Sequence, residues 1–154
     1  MRALALAAAL ALVAPAAAMA QDTPPEAAGP YLMLQKEDGV IVLASMAERR
    51  PTALGASATT VAFLRVDGAL LRGESLTEAD CTRGMRRTRT IYVQEVSDPD
   101  VRVPHFVEAP AIDWSTPGPL DGPLMDFLCE DGRHDPAMVS PRASTFVTPW
   151  LAGN

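Results

Sequence analysis

Four arginines, Arg83, Arg86, Arg87 and Arg89, fall within seven positions of an otherwise acidic chain. A guanidinium is a planar fork of donors that matches a carboxylate or phosphate, so arginines on one face can converge on a single anion. Arg87 and Arg89 have the alternate spacing that puts two side chains on one face of a strand, which makes them a candidate anion-binding pair. The competing reading is internal. In an acidic protein these guanidinium groups can pair with the chain's own carboxylates, or charge an edge strand against unwanted pairing. Internal pairing is the simpler of the two.

Other groups capable of chemistry are sparse. The two histidines are His105 and His134, the latter in the turn-like GRHDP. Ser140 and Ser144 follow, but no strand–turn–helix elbow presents a serine to a base. Both histidines read as exposed loop residues. Asp98-Pro99-Asp100 offers two carboxylates without the further spaced ligands of a calcium loop, so it reads as a turn. Neither a glycine-rich phosphate loop nor a CxxC pair occurs. The expectation is a protein with no catalytic residues, metal or cofactor. Trp114 and Trp150 are expected to plug a core or clasp the tail rather than form a ligand platform.

The compartment follows from the N-terminus. Arg2 precedes an Ala/Leu-rich run over residues 3–14, Pro15 interrupts it, and Ala18-Met19-Ala20 supplies small residues for cleavage. This layout predicts a signal peptide over residues 1–20, cut after Ala20. Removing those 20 residues and their one arginine leaves 134, with 12 basic against 19 acidic side chains and a net charge of −7. Residue 21 is glutamine, so no lipid-anchored cysteine is expected, and no later segment approaches membrane-spanning length. The acidity argues against nucleic-acid binding, which needs a positive field. A periplasmic or secreted protein with two cysteines, Cys81 and Cys129, is expected to join them. Such a bond closes a loop of about 50 residues, worth about 4 kcal/mol as an upper value. Free thiols are disfavoured in an oxidising compartment, and two thiols without a nearby histidine are half a zinc shell.

Residues 21–30 read as a flexible leader. Apolar runs at 31–35 and 40–45 flank Lys-Glu-Asp-Gly and predict a hairpin. Residues 48–57 read as a loop. A β-branched run at 59–66 meets Asp67-Gly68 and leads into 69–72, a second hairpin. Residues 88–96 alternate as a strand, with Arg87, Arg89, Ile91, Val93 and Glu95 on one face. Residues 101–107 read as a short edge strand limited by Pro104. After a Pro/Gly-rich loop, a helix of about ten residues starts near Asp121, tolerates Pro123 in its first turn and ends before Gly132. Leu124, Phe127 and Leu128 form its apolar stripe, with Cys129 at the margin. So short a helix does not hold alone, and Cys129 is expected to pin it to the sheet. Residues 137–154 form a tail in which Pro141 and Pro149 limit regular structure. Its Phe146, Val147 and Trp150 should pack, onto the sheet or onto a partner, which makes Phe146 and Trp150 candidate docking residues.

The order of these pieces resembles the surface-adhesin protein E-like domain of proteobacterial envelope proteins. The similarity rests on an apolar hairpin, Asp80-Cys81 before arginines and Ile91-Tyr92-Val93, then Trp114, then Leu124 to Cys129. It covers residues 31 to about 131. It implies an α+β fold, an antiparallel sheet of about six strands with one short C-terminal helix tied across it by the Cys81–Cys129 disulfide. No catalytic residues come with the resemblance. The expected role is a non-catalytic envelope binding module contacting a protein or an anionic envelope component. A structural or assembly factor docking through its tail is the alternative, and a small secreted enzyme is the remotest reading.

Overall fold

The computed structural model describes residues 29–101, 107–109 and 112–153. The expected signal peptide, most of the leader, His105 and much of the edge strand expected at 101–107 lie outside the described residues.

Strands β1 (Tyr31–Glu37), β2 (Val40–Ser45), β4 (Ala56–Val66), β5 (Ala69–Asp80) and β6 (Met85–Glu95) form an antiparallel meander. Four shorter strands complete the sheet: β3 (Arg50–Pro51), β7 (Val107–Ala109), β8 (Ile112–Ser115) and β9 (Val139–Ser140). The spatial order is β7-β6-β5-β4-β2-β1-β9, with β3 beside β4 and β8 beside β6. Two helices pack on it, α1 (Gly122–Cys129) and α2 (Ser144–Ala152). The architecture is therefore mostly antiparallel sheet with helices, and it departs from the expected six strands and one helix. The additional strands have two to four residues, too few to show a period of two. Both hairpin turns fall where expected, with Gly39 and Gly68 at φ of 84° and 86°, a backbone region that glycine adopts without penalty.

Alternation gives each sheet face its own core. Tyr31, Ile41, Leu43, Val61 and Phe63 point to one face and pack with Ala143, Val147 and Trp150 around α2. Leu32, Leu34, Ala44, Ala56, Ala58 and Ala79 point to the other and pack with Leu124, Phe127 and Leu128 of α1. The four alanines let α1 lie close to the strands, and the Cys81–Cys129 bond ties it there, with Cα atoms 5.4 Å apart. A Cβ at Gly55 would collide with Cys81 Sγ, so the loop before β4 needs glycine at that point. At the same end of α1, Arg49 donates from Nε to Phe127 O (2.9 Å) and from Nη2 to Leu128 O (3.2 Å). Those are carbonyls that a helix C-terminus leaves without intrahelical partners.

Residues 137–154, expected as a tail with little regular structure, complete the sheet through β9 and the core through α2. Asp100 caps α2, accepting from Ser144 N (3.0 Å) and Ser144 Oγ (2.6 Å). Arg72, only 1% exposed, holds the segment carrying Asp100: its guanidinium donates to Glu74 Oε1 (2.9 Å) and Pro99 O (2.6 Å) and lies over the Phe63 ring. Pro149 sits inside α2, where it forfeits one helical hydrogen bond, and burial of Val147 and Trp150 outweighs that loss. Trp150 Nε1 also donates to Glu37 O at 3.2 Å. No helix among the described residues is long and apolar enough to cross a membrane.

Candidate functional site

The arginine cluster comes together on carboxylates of this chain. In β6, Arg89 is an extra residue between the pairs Thr77–Thr88 and Leu76–Thr90, a β-bulge. The bulge breaks the alternation expected across 87–95, so Arg87 faces Glu78 while Tyr92 faces Glu74, two glutamates on the same side of β5. Arg87 donates from Nε (3.1 Å) and Nη2 (2.9 Å) to Glu78 Oε2, and Arg89 Nε lies 3.7 Å from the same oxygen. Glu78 thus occupies the place an external anion would take between these two residues. Trp114 of β8 stacks on the Arg87 guanidinium at 4.6 Å. Arg86 Nε lies 2.9 Å from Asp121 Oδ2, in a contact of opposite charges that lacks hydrogen-bond alignment. Arg83 lies 3.8 Å from Asp80. An open groove of about 340 Å³ is lined by Arg87, Thr88, Arg89, Ile112 and Asp113, so its lining too includes a carboxylate.

Nucleophiles and bases do not converge among the described residues. Ser144 is engaged by Asp100, and buried Ser140 donates to Thr145 Oγ1 at 2.7 Å. His134 is exposed on the turn after α1. It lines a second groove, of about 460 Å³, with Leu32, Leu34, Pro123, Asp126 and Met138. Beside it, Glu130 bonds to Arg133 and holds that guanidinium above its ordinary pKa. Among the described residues no group of three or more His, Cys, Asp or Glu side chains is placed to hold a metal. Trp150, 3% exposed, is packed into the chain's own core, and half-buried Phe146 packs against that core.

The feature that stands apart lies on the sheet face that carries α1. Register places Val40, Leu64 and Leu71 in one row across β2, β4 and β5. Val42, Ala62, Gly73 and Val93 form the next row, which extends to β6. Paired residues share a face, and Ala44 and Ala58, of the same parity on β2 and β4, lie beneath α1. All seven positions of the two rows are only half-buried. On the opposite face, Ile41, Leu43, Val61 and Phe63 of the same strands are at most 1% exposed beneath α2. Helix α1 therefore covers one end of its face and leaves the other as an apolar strip. A row of hydroxyls marks the boundary: Thr60 Oγ1 lies 2.7 Å from Ser75 Oγ and 3.3 Å from Thr77 Oγ1. The strip crosses four strands, about 14 Å at the usual strand spacing.

The sequence motifs missed this strip for a physical reason. Within TTVAFLRV the stretch VAFL is apolar at successive positions, so periodicity alone does not say which face is covered. Only strand register and the position of α1 separate the covered half from the open one. Comparison with known proteins adds no identity to this geometry: no family model, curated protein or solved structure matches the chain.

Proposed function

We propose that this protein is a non-catalytic binding module exported to the cell envelope, and that it binds a partner through the half-covered sheet face. The observation that carries this reading is the strip of Val40, Val42, Ala62, Leu64, Leu71, Gly73 and Val93, left partly exposed where Ile41, Leu43, Val61 and Phe63, on the opposite face of the same strands, are buried beneath α2. Contiguous exposed apolar surface on a small domain is characteristic of interaction sites. Export is supported by the N-terminal layout and by the Cys81–Cys129 bond. The resemblance to the surface-adhesin protein E-like domain fits the same role, with its sheet, its helix and its disulfide, and brings no catalytic residues. Internal pairing of the arginine cluster and burial of Trp150 both turn attention to the strip as the binding surface.

The test is affinity capture from an envelope fraction, comparing the mature protein with a Leu64→Gln/Leu71→Gln variant. Circular dichroism and a melting curve establish that the variant is folded, since both side chains are partly buried. Wild type should retain a partner that the variant loses. A partner retained equally by both removes the strip from the reading.

A further inference from the structure

We propose that the open strip receives an amphipathic helix from another protein, one with an apolar stripe and basic residues toward both ends. This rests on the binding-module reading above and names the partner's chemistry.

Three observations lead there. The first is how this sheet is covered elsewhere. α1 packs with residues of β1, β2, β4 and β5, and α2 with residues of β1, β2 and β4, so each helix covers several strands. Each presents a helical stripe, Leu124, Phe127 and Leu128 in one and Ala143, Val147 and Trp150 in the other. The open strip is likewise apolar and runs over β2, β4 and β5, which α1 also covers, and on to β6, so a third short helix meets a comparable surface.

Shape is the second. At the centre of the strip, Gly73 and Ala62 pair between Val42 on β2 and Val93 on β6, with Leu64 and Leu71 in the adjoining row. The result is a shallow trough with a low floor. The fold itself does not demand glycine at position 73. A Cβ there would make only ordinary contacts, 3.7 Å to Tyr92 O and 3.9 Å to Ala62 O and Val93 Cγ2. Glycine within a strand marks a bulge, a tight bend or a close approach by another chain, and the register at Gly73 carries no bulge.

The third is charge. Extending the row Val40–Leu64–Leu71 by register reaches Glu37 on β1 and Glu95 on β6, both exposed. Four strand spacings separate them, about 19 Å, which is the rise of about 13 helical residues. A helix with basic residues near both ends matches this pattern. A second copy of this chain would bring glutamates against glutamates, and an anionic membrane would be repelled by the same pair.

The probe is a synthetic 16-residue helical peptide with a leucine/alanine stripe and lysines at both ends, alongside the same peptide with glutamate in place of lysine. Binding to the mature protein is read by fluorescence anisotropy at low and physiological salt. The lysine peptide should bind saturably, and the glutamate peptide at least tenfold more weakly. Gly73→Val should leave the melting temperature unchanged or higher while weakening the lysine peptide at least tenfold. Glu37→Gln/Glu95→Gln should weaken it several-fold and flatten the salt dependence. No binding to folded wild type, equal binding of both peptides, or binding indifferent to Gly73→Val overturns the proposal. So does a dimer in light scattering that Gly73→Val dissolves, or preferential binding to phosphatidylglycerol vesicles. If the envelope capture yields a strip-dependent partner while the peptide fails, the binding module stands and the helical, basic partner does not.

Discussion

Truncating Trp150 to alanine probes whether the last helix belongs to the core or waits for a partner. Trp150 is 3% exposed, and its cluster includes Tyr31, Ile41, Phe63 and Val147, each at most 1% exposed. An indole buries about 150–250 Å², which at about 25 cal/mol per Å² corresponds to about 4–6 kcal/mol. Alanine keeps a small part of that area, and a helix near the chain end can settle into the space left behind. The expected loss is therefore at the low end for such truncations, about 3–4 kcal/mol. Against the total stability of a single domain, about 5–15 kcal/mol, this is a severe change. The assay is thermal and urea unfolding of the purified mature protein, with Trp150→Phe as the milder control. A fall of about 10–15 °C is expected for alanine. An alanine variant melting within about 3 °C of wild type would mean that Trp150 is no part of the core, because an intramolecular clasp of this size cannot be removed silently.

Other substitutions report on separate parts of the structure. Cys129→Ser should lower stability by up to about 4 kcal/mol, since the bond spans 48 residues, and alkylation of unreduced native protein should find no free thiol. Arg49→Leu removes two hydrogen bonds from a charged group to the last carbonyls of α1 and should cost about 1.5–3 kcal/mol in urea unfolding. Arg87→Ala/Arg89→Ala strips Glu78 of both guanidinium partners and should cost about 1–2 kcal/mol, discounted because both arginines are partly exposed. An unchanged melting curve together with lost binding of inorganic phosphate would instead restore an anion site at those residues. Gly55→Ala, forced against Cys81 Sγ, should destabilise by about 1–3 kcal/mol, and a neutral result would show that the loop before β4 yields.

Much of the meander was legible because its turns are explicit and its strands apolar. The Asp-Gly pairs at 38–39 and 67–68 mark both hairpins, and the stripe of Leu124, Phe127 and Leu128 marks α1. Strand β5 was seen only over its first residues, although it runs from Ala69 to Asp80. Its inward positions include Arg72, Glu74, Glu78 and Asp80, buried charges that invert the hydrophobic alternation on which strand recognition depends. Helix α2 was obscured by Pro149, yet Ala143, Val147 and Trp150 lie at helical spacing and are the signal that would have found it. The arginine pairing required the register of β5 against β6, with a bulge at Arg89 that composition does not announce. The open strip was illegible in principle, since coverage by α1 is a tertiary fact.

Site-specific photo-crosslinking from position 71 in living cells shows whether the strip meets a partner. A benzophenone side chain in place of Leu71 projects from the strip, and one in place of exposed Arg65, on the opposite side of the sheet, serves as the control. An adduct between this protein and a different protein is expected from position 71 and none from position 65. No adduct from position 71, or adducts only with other copies of this chain, would mean that the strip meets no separate partner.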